Sequence, residues 1–207
     1  MSIDEHPRSR QAGLMLLELL TAVAVLAIVL GIGVPAMTSF FDSKRLIGAA
    51  EQVYSHLQQA RLESIARSAP MFVNFSADGS ATWTYGFSHR DLCDLTQLVP
   101  TGVNACVIVV DDGDGDVDPG DGTVDTGDLL LTRFDQAAHT GVAMSIAAFS
   151  SGDSQIDFDP IRGTATSGTV SLESPDGRQL NVRIGLLGQI RICSPDGSVP
   201  GYSTAGC

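Results

Sequence analysis

A single carboxylate, Glu18, stands inside an otherwise uncharged apolar run from Leu14 through Val34. At that depth in hydrocarbon a carboxylate costs about 2.5–3.5 kcal/mol on insertion scales, so its natural chemistry is pairing with a positive charge. A second concentration of chemistry is Asp111-Asp112-Gly113-Asp114-Gly115-Asp116-Val117-Asp118-Pro119-Gly120-Asp121. Alternating carboxylates and glycines are how calcium loops wrap a hard cation in oxygen ligands. Asp112 precedes one twelve-residue register that runs Asp114, Asp116, Asp118 and ends on Asp125. Pro119 stands where an EF-hand loop needs glycine, Asp125 replaces the usual Glu, and no helix signals flank the stretch. The competing reading is a solvated, self-repelling surface loop.

The cysteines are Cys93, Cys106, Cys193 and Cys207. Four cysteines allow three pairings, and sequence alone does not choose among them. The two short loops, 93 to 106 and 193 to 207, are the expected bridges, each stabilising by about 3 kcal/mol on the loop-entropy estimate. Bridges imply an oxidising compartment, the periplasm or cell exterior. No C-x-x-C occurs, so zinc and thioredoxin-like chemistry find no support. His6, His56, His89 and His139 make no ligand spacing, and no G-x-S-x-G occurs. His89-Arg90-Asp91-Leu92 echoes a kinase catalytic loop, but Thr96 stands where asparagine is needed and no phosphate-binding glycine loop accompanies it. The expectation is a protein that is not an enzyme and requires no cofactor, with calcium the one candidate ion.

These residues need elements to hold them. The chain has 207 residues and a formal net charge of -12, enough for one globular domain plus an anchor. That charge gives no general attraction for nucleic acid or anionic lipid. Eight aspartates fall between 111 and 128, so the charge describes one loop more than a surface. The 21 residues from Leu14 to Val34 would rise about 31 Å as a helix, close to the roughly 30 Å hydrocarbon core. Arg8 and Arg10 before the run favour a cytoplasmic N-terminus. The run is longer than the core of a secretory signal peptide and no A-x-A site closes it. A plain signal anchor leaves Glu18 unexplained.

From Asp42 to Ala69 the spacing of Leu46, Ala50, Val53, Leu57 and Ala60 is helical, and Glu63 and Arg67 can pair at i,i+4. One long helix is expected from about Leu16 to Ala69, kinked at Pro35 and stopped by Pro70. Strands are expected at 71–75, 82–87, 107–110, 129–131, 155–158, 168–172, 179–184 and 189–192, with turns at Asp78-Gly79 and Asp176-Gly177. The fold class is α+β: a long N-terminal helix, transmembrane in its first half, packed on an antiparallel β domain.

Gly13-Leu14-Met15-Leu16-Leu17-Glu18-Leu19-Leu20 resembles the leader junction of type IV prepilins. That resemblance implies cleavage after Gly13 by a prepilin peptidase and methylation of the new N-terminus at Leu14, where the family usually has Phe. Glu18 becomes the fifth mature residue and Pro35 the helix-kinking proline. Glu18 of one subunit would pair with the Leu14 amine of a neighbour and set axial register. The body resembles the GspH/FimT-type pseudopilins. Gln59-Ala60-Arg61-Leu62-Glu63-Ser64-Ile65-Ala66 is similar to their helix end, and Trp83-Thr84-Tyr85-Gly86-Phe87 to their W-x-x-G-W segment. Val109-Val110-Asp111-Asp112 through Leu129-Leu130 resembles their aspartate-rich loop.

The resemblance implies a type IV pilin-like fold with four parts. These are a leader at 1–13, a transmembrane assembly helix at 14–35, an amphipathic half at 36–69 and a periplasmic or extracellular β domain at 70–207 carrying the acidic loop 111–128. It implies a minor pilin or minor pseudopilin that primes or tips a type IV pilus or type II secretion pseudopilus. The subunit would sit in the inner membrane as a single pass and reach the cell surface in the filament. Its partners would be other major and minor pilins or pseudopilins. In FimT-like proteins a G-R-x-R hairpin is linked to DNA uptake. Here the stretch is Gly188-Gln189-Ile190-Arg191, with Gln189 in place of the first arginine, and Arg178 and Arg183 complete the candidate DNA patch with Arg191. A third reading is a calcium-binding anchored surface protein.

Overall fold

A computed structural model describes residues 12–110, 127–147, 149–150, 152 and 154–207, and leaves the side chains of 12–15 and 32–36 outside that description. Helix α1 spans Ala12–Arg67. The chain divides into two compact units, Met1–Phe41 and Asp42–Cys207.

In the first unit the helix is apolar and unburied: every described side chain from Leu16 to Gly31 is exposed. Among the described residues no helix is long and apolar enough to cross a membrane. The stretch 16–31 rises about 24 Å at the standard helical rise, and both ends of the 14–34 run fall among the undescribed side chains. The expected kink at Pro35 also lies outside the described side chains.

In the second unit the same helix is amphipathic. Leu46, Ala49, Ala50, Val53, Leu57, Ala60 and Ser64 are all buried, a stripe at three- and four-residue spacing. Glu63 and Arg67 form the expected ion pair on the other side, 2.7 Å apart. The helix stops two residues earlier than expected. Ser68 adopts a left-handed φ of 51°, and the amides of Ser68 and Ala69 donate back to Ile65 and Ser64 carbonyls. A left-handed C-terminal cap, rather than Pro70 itself, ends the helix.

Among the described residues ten strands follow: β1 Met71–Ser76, β2 Thr84–Ser88, β3 Val107–Val109, β4 Leu129–Leu131, β5 Arg133–Asp135, β6 Ala143–Ala147, β7 Gln155–Phe158, β8 Gly168–Glu173, β9 Gln179–Ile184 and β10 Ile190–Cys193. They make two four-stranded sheets, ordered β5-β2-β1-β7 and β10-β9-β8-β6, plus the hairpin β3-β4. Neighbouring strands in these sheets run antiparallel. Strands β5 and β6 were not expected from the sequence, and β2 begins at Thr84 rather than 82. Trp83 precedes β2 as a core residue, its indole N–H donating to the Val142 carbonyl at 2.9 Å. Asp78-Gly79 turns as expected but also pairs sideways, Gly79 N–H donating to Met144 O and Met144 N–H to Ser80 O.

One apolar core joins the helix stripe to both sheets, through Met71, Val73, Tyr85, Phe87, Ile156 and Phe158 on one and Met144, Val170, Leu172, Leu180 and Val182 on the other. Alternation along β2 sends Tyr85 and Phe87 to that core and Gly86 to the opposite face.

Candidate assembly helix and the surfaces it supports

Each part of α1 offers different chemistry. Around Glu18 the surface is a shallow groove lined by Thr21, Ala22, Val25, Leu26 and Val29, with the Thr21 hydroxyl donating to the Glu18 carbonyl at 2.9 Å. Apart from Glu18 and Thr21, the groove is lined by aliphatic side chains. Such a helix is unsatisfied in water, because each exposed leucine forgoes about 1.5–3 kcal/mol of burial. Gly13 and Leu14 fall within the helix by backbone, while their side chains lie outside the described residues.

Beyond Asp42 the helix is fastened to the β body by polar contacts as well as by its buried stripe. His56 Nδ1 lies 2.8 Å from the Tyr85 hydroxyl, and the imidazole stacks on Phe134 with ring centres 3.6 Å apart. His139 Nε2 lies 2.7 Å from Gln52 Oε1. The Ser64 hydroxyl lies 3.0 Å from the Phe158 carbonyl. Tyr202 donates its hydroxyl proton to Glu51 at 3.0 Å, which ties the C-terminal segment to the helix.

Burial lowers the pKa of His56 below its ordinary value, and does the same for His139 against a smaller opposing hydrogen bond involving Arg45. Burial, then the Glu51 carboxylate, pushes the Tyr202 phenol up to about 12. Desolvation pushes the Tyr85 phenol up further still. All four groups are therefore neutral at pH 7, as suits contacts that hold two elements together.

Both local disulfides are formed, Cys93–Cys106 and Cys193–Cys207. The first packs on the outer face of β2. A Cβ placed on Gly86 would lie 2.9 Å from Cys106 Cβ and Sγ, so only glycine leaves room for the bridge there. This gives a physical reason for the glycine in the Trp83–Phe87 segment. The loop closed by the bridge presents Leu98, Val99 and Val103 to solvent. The second bridge anchors the C-terminal segment, whose Val199 is buried and whose Ser203 carbonyl accepts from Ser194 N–H.

The aspartates Asp112, Asp114, Asp116, Asp118 and Asp125 lie outside the described residues. The base of their loop is described: β3 and β4 pair from Val107↔Leu131 to Val109↔Leu129, and Val110 N–H donates to Asp128 O at 2.7 Å. Among the described residues no group of His, Cys, Asp or Glu could hold a metal ion.

The candidate DNA residues do not form one patch. Arg178 sits at the start of the β9 hairpin arm and pairs with Asp176 at 3.2 Å. Arg183 lies five residues on, about 17 Å along an extended strand, directly opposite Arg191 in register. Gly188, the glycine of the hairpin stretch, adopts φ +68°, and a Cβ there would approach Arg61 Nε of α1 to 2.9 Å. That glycine serves the close fit of the turn on the helix.

The histidine, arginine and aspartate at 89–91 diverge. His89 meets the Pro70 carbonyl and Arg90 donates to Asn104, with no shared centre.

The model for the family of the type II transport protein GspH matches residues 49–188. No curated protein and no solved structure matches the chain. The matched stretch takes in α1 from residue 49, the first disulfide loop, strands β1 to β9 and the turn on Arg61. The chain belongs to the GspH family, and with it to the pseudopilin-like components of type II secretion.

Proposed function

We propose that this protein is a minor pseudopilin or minor pilin, structural rather than catalytic, cut after Gly13 and held in the inner membrane by residues 14–35. In this reading Glu18 neutralises the Leu14 amine of the adjacent subunit, and the β body caps or primes the filament. One observation carries it. A single helix is exposed and aliphatic from Leu16 to Gly31 apart from Glu18 and Thr21, then buries a continuous stripe from Leu46 to Ser64. An anchor alone needs no carboxylate, and a soluble domain needs no exposed aliphatic helix. Membership of the GspH family supports the same role.

The test is the N-terminal residue and mass of the protein taken from its native membrane. A chain beginning at Leu14, with or without a methyl group, is the expected result. A chain that still carries residues before Gly13, in cells with an active prepilin peptidase, overturns the reading.

A further inference from the structure

The outer face of the β10-β9-β8-β6 sheet carries two arginines where a sheet least accommodates them. Arg183 and Arg191 are register partners on neighbouring strands, and both are exposed. Like charges directly opposite across a strand pair destabilise it. Among the described residues neither side chain meets a carboxylate: the ion pairs involve Arg45, Arg67, Arg133 and Arg178 instead. Their contacts are neutral. Arg183 Nη1 donates to the Gly206 carbonyl at 2.6 Å, and Arg191 Nη2 reaches Gln189 Oε1 at 3.3 Å. The two guanidinium groups line an open cavity of about 210 Å³ with Ile184, Gly185, Gln189 and Gly206.

The cavity is built rather than incidental. Gly206 is the neighbour of Cys207, so the Cys193–Cys207 bridge fixes the carbonyl that orients Arg183. A 2.9 Å hydrogen bond from Gly185 N–H to Gln189 O closes the turn that forms the other wall. Gly185 is bare where the Gln189 side chain lies over it: a Cβ there would come within 2.9 Å of Gln189 Cγ. Each guanidinium keeps N–H groups beyond those its neutral partner uses.

We propose that the Arg183–Arg191 cavity binds one compact carboxylate, presented by an acidic segment of a partner protein. Planar guanidinium forks match a carboxylate in two parallel hydrogen bonds, and the bound charge relieves the cross-strand repulsion. A nucleic acid fits less well. Non-specific binding of a polyanion draws on several phosphate contacts, and this cavity offers only the Arg183 and Arg191 forks. Arg178, just before β9, is already paired with Asp176. The inference is independent of processing at Gly13 and of the role of Glu18.

The test follows arginine Nε–Hε resonances of the full chain in detergent micelles at constant ionic strength. The probes are sodium acetate, a blocked Gly-Glu-Gly-Asp-Gly peptide, its Gln/Asn counterpart, and a short single-stranded oligodeoxynucleotide. The expected result is a saturable shift of Arg183 and Arg191 with one shared Kd, while Arg178 stays still. The acidic peptide binds at least tenfold tighter than acetate, and its amide counterpart is silent. In Arg183→Gln the Arg191 response weakens at least tenfold, and thermal unfolding without ligand is no lower than in the parent chain. Parallel, unsaturated drift of all three arginines means counterion screening only and overturns the proposal. So does an oligonucleotide that shifts the pair at lower concentration than the peptide, which would return the site to nucleic acid.

Discussion

Substituting Leu57 by Ala separates the duties of α1. Leu57 is 1% exposed on the helix stripe, whereas Leu17 is 67% exposed in the first unit. Leu→Ala deletes three carbons, worth about 2.4 kcal/mol at about 0.8 kcal/mol for each buried group. The cavity left behind raises this to about 2.7–5 kcal/mol where neighbours cannot collapse. Neighbours here are Val53, Ala60 and strands tied in register on both sides, so the upper half of that range is expected. At about 2–4 °C per kcal/mol for a body of this size, Tm falls by roughly 8–20 °C. Leu17→Ala removes the same carbons from an exposed position and should shift Tm by less than about 2 °C. The assay is thermal unfolding of the full chain in detergent by near-ultraviolet circular dichroism, which reports Trp83 and the aromatic cluster around it. A Leu57→Ala loss below about 1 kcal/mol, or equal losses at both positions, would refute the assignment of the helix to the β-body core.

Other outcomes follow from the same geometry. Glu18→Ala should abolish incorporation into filaments while leaving Tm unchanged; co-purification of the variant with sheared filaments at parental levels would contradict the pairing role. Gly86→Ala should cost about 1–3 kcal/mol, since the new Cβ must displace the Cys93–Cys106 bridge, and free-thiol titration should show slower closure of that loop. His56 and His139 are lowered by burial, so the unfolded chain takes up their protons first as pH falls. Stability from these groups is complete above about pH 6.5 and is lost as pH falls through the lower folded-state values. Tm measured from pH 8 to pH 5 should decline accordingly, and the double change His56→Gln with His139→Gln should flatten the curve.

The helix was legible because burial wrote its period into the chain: Leu46, Ala50, Val53, Leu57 and Ala60, named from spacing alone, are all buried. Seven strands were legible from their β-branched and aromatic content, which matches a half-buried pleat, and β4 from its short apolar run Leu129–Leu131. Strands β5 and β6 were not, because Arg133-Phe134-Asp135 and Ala143-Met144-Ser145-Ile146-Ala147 carry little intrinsic β preference. Their conformation comes from partners far along the chain, β2 for one and β8 with the 78–80 turn for the other. The cysteine spacing favoured the bridges that form, yet it gave no sign that Gly86 must be bare to admit one of them. The arginines named from the sequence divide for a geometric reason: Arg183 meets Arg191, and Arg178 stands apart. Nearness in sequence along β9 sets Arg178 and Arg183 at opposite ends of a strand, whereas Arg191 reaches Arg183 from the neighbouring strand.

The sideways pairing of the 78–80 turn with β6 has a counterpart at β7, where Thr166 N–H donates to Asp157 O and Asp159 N–H to Thr164 O. Two margins of the β body are thereby stitched shut by its own loops. A fibre subunit lives at high local concentration beside many copies of its relatives, and an open margin would invite adhesion by backbone alone, in any order and any number. Hemming those margins withdraws the backbone from the contest. A contact made at those two margins rests on side chains, which can be ordered, counted and undone.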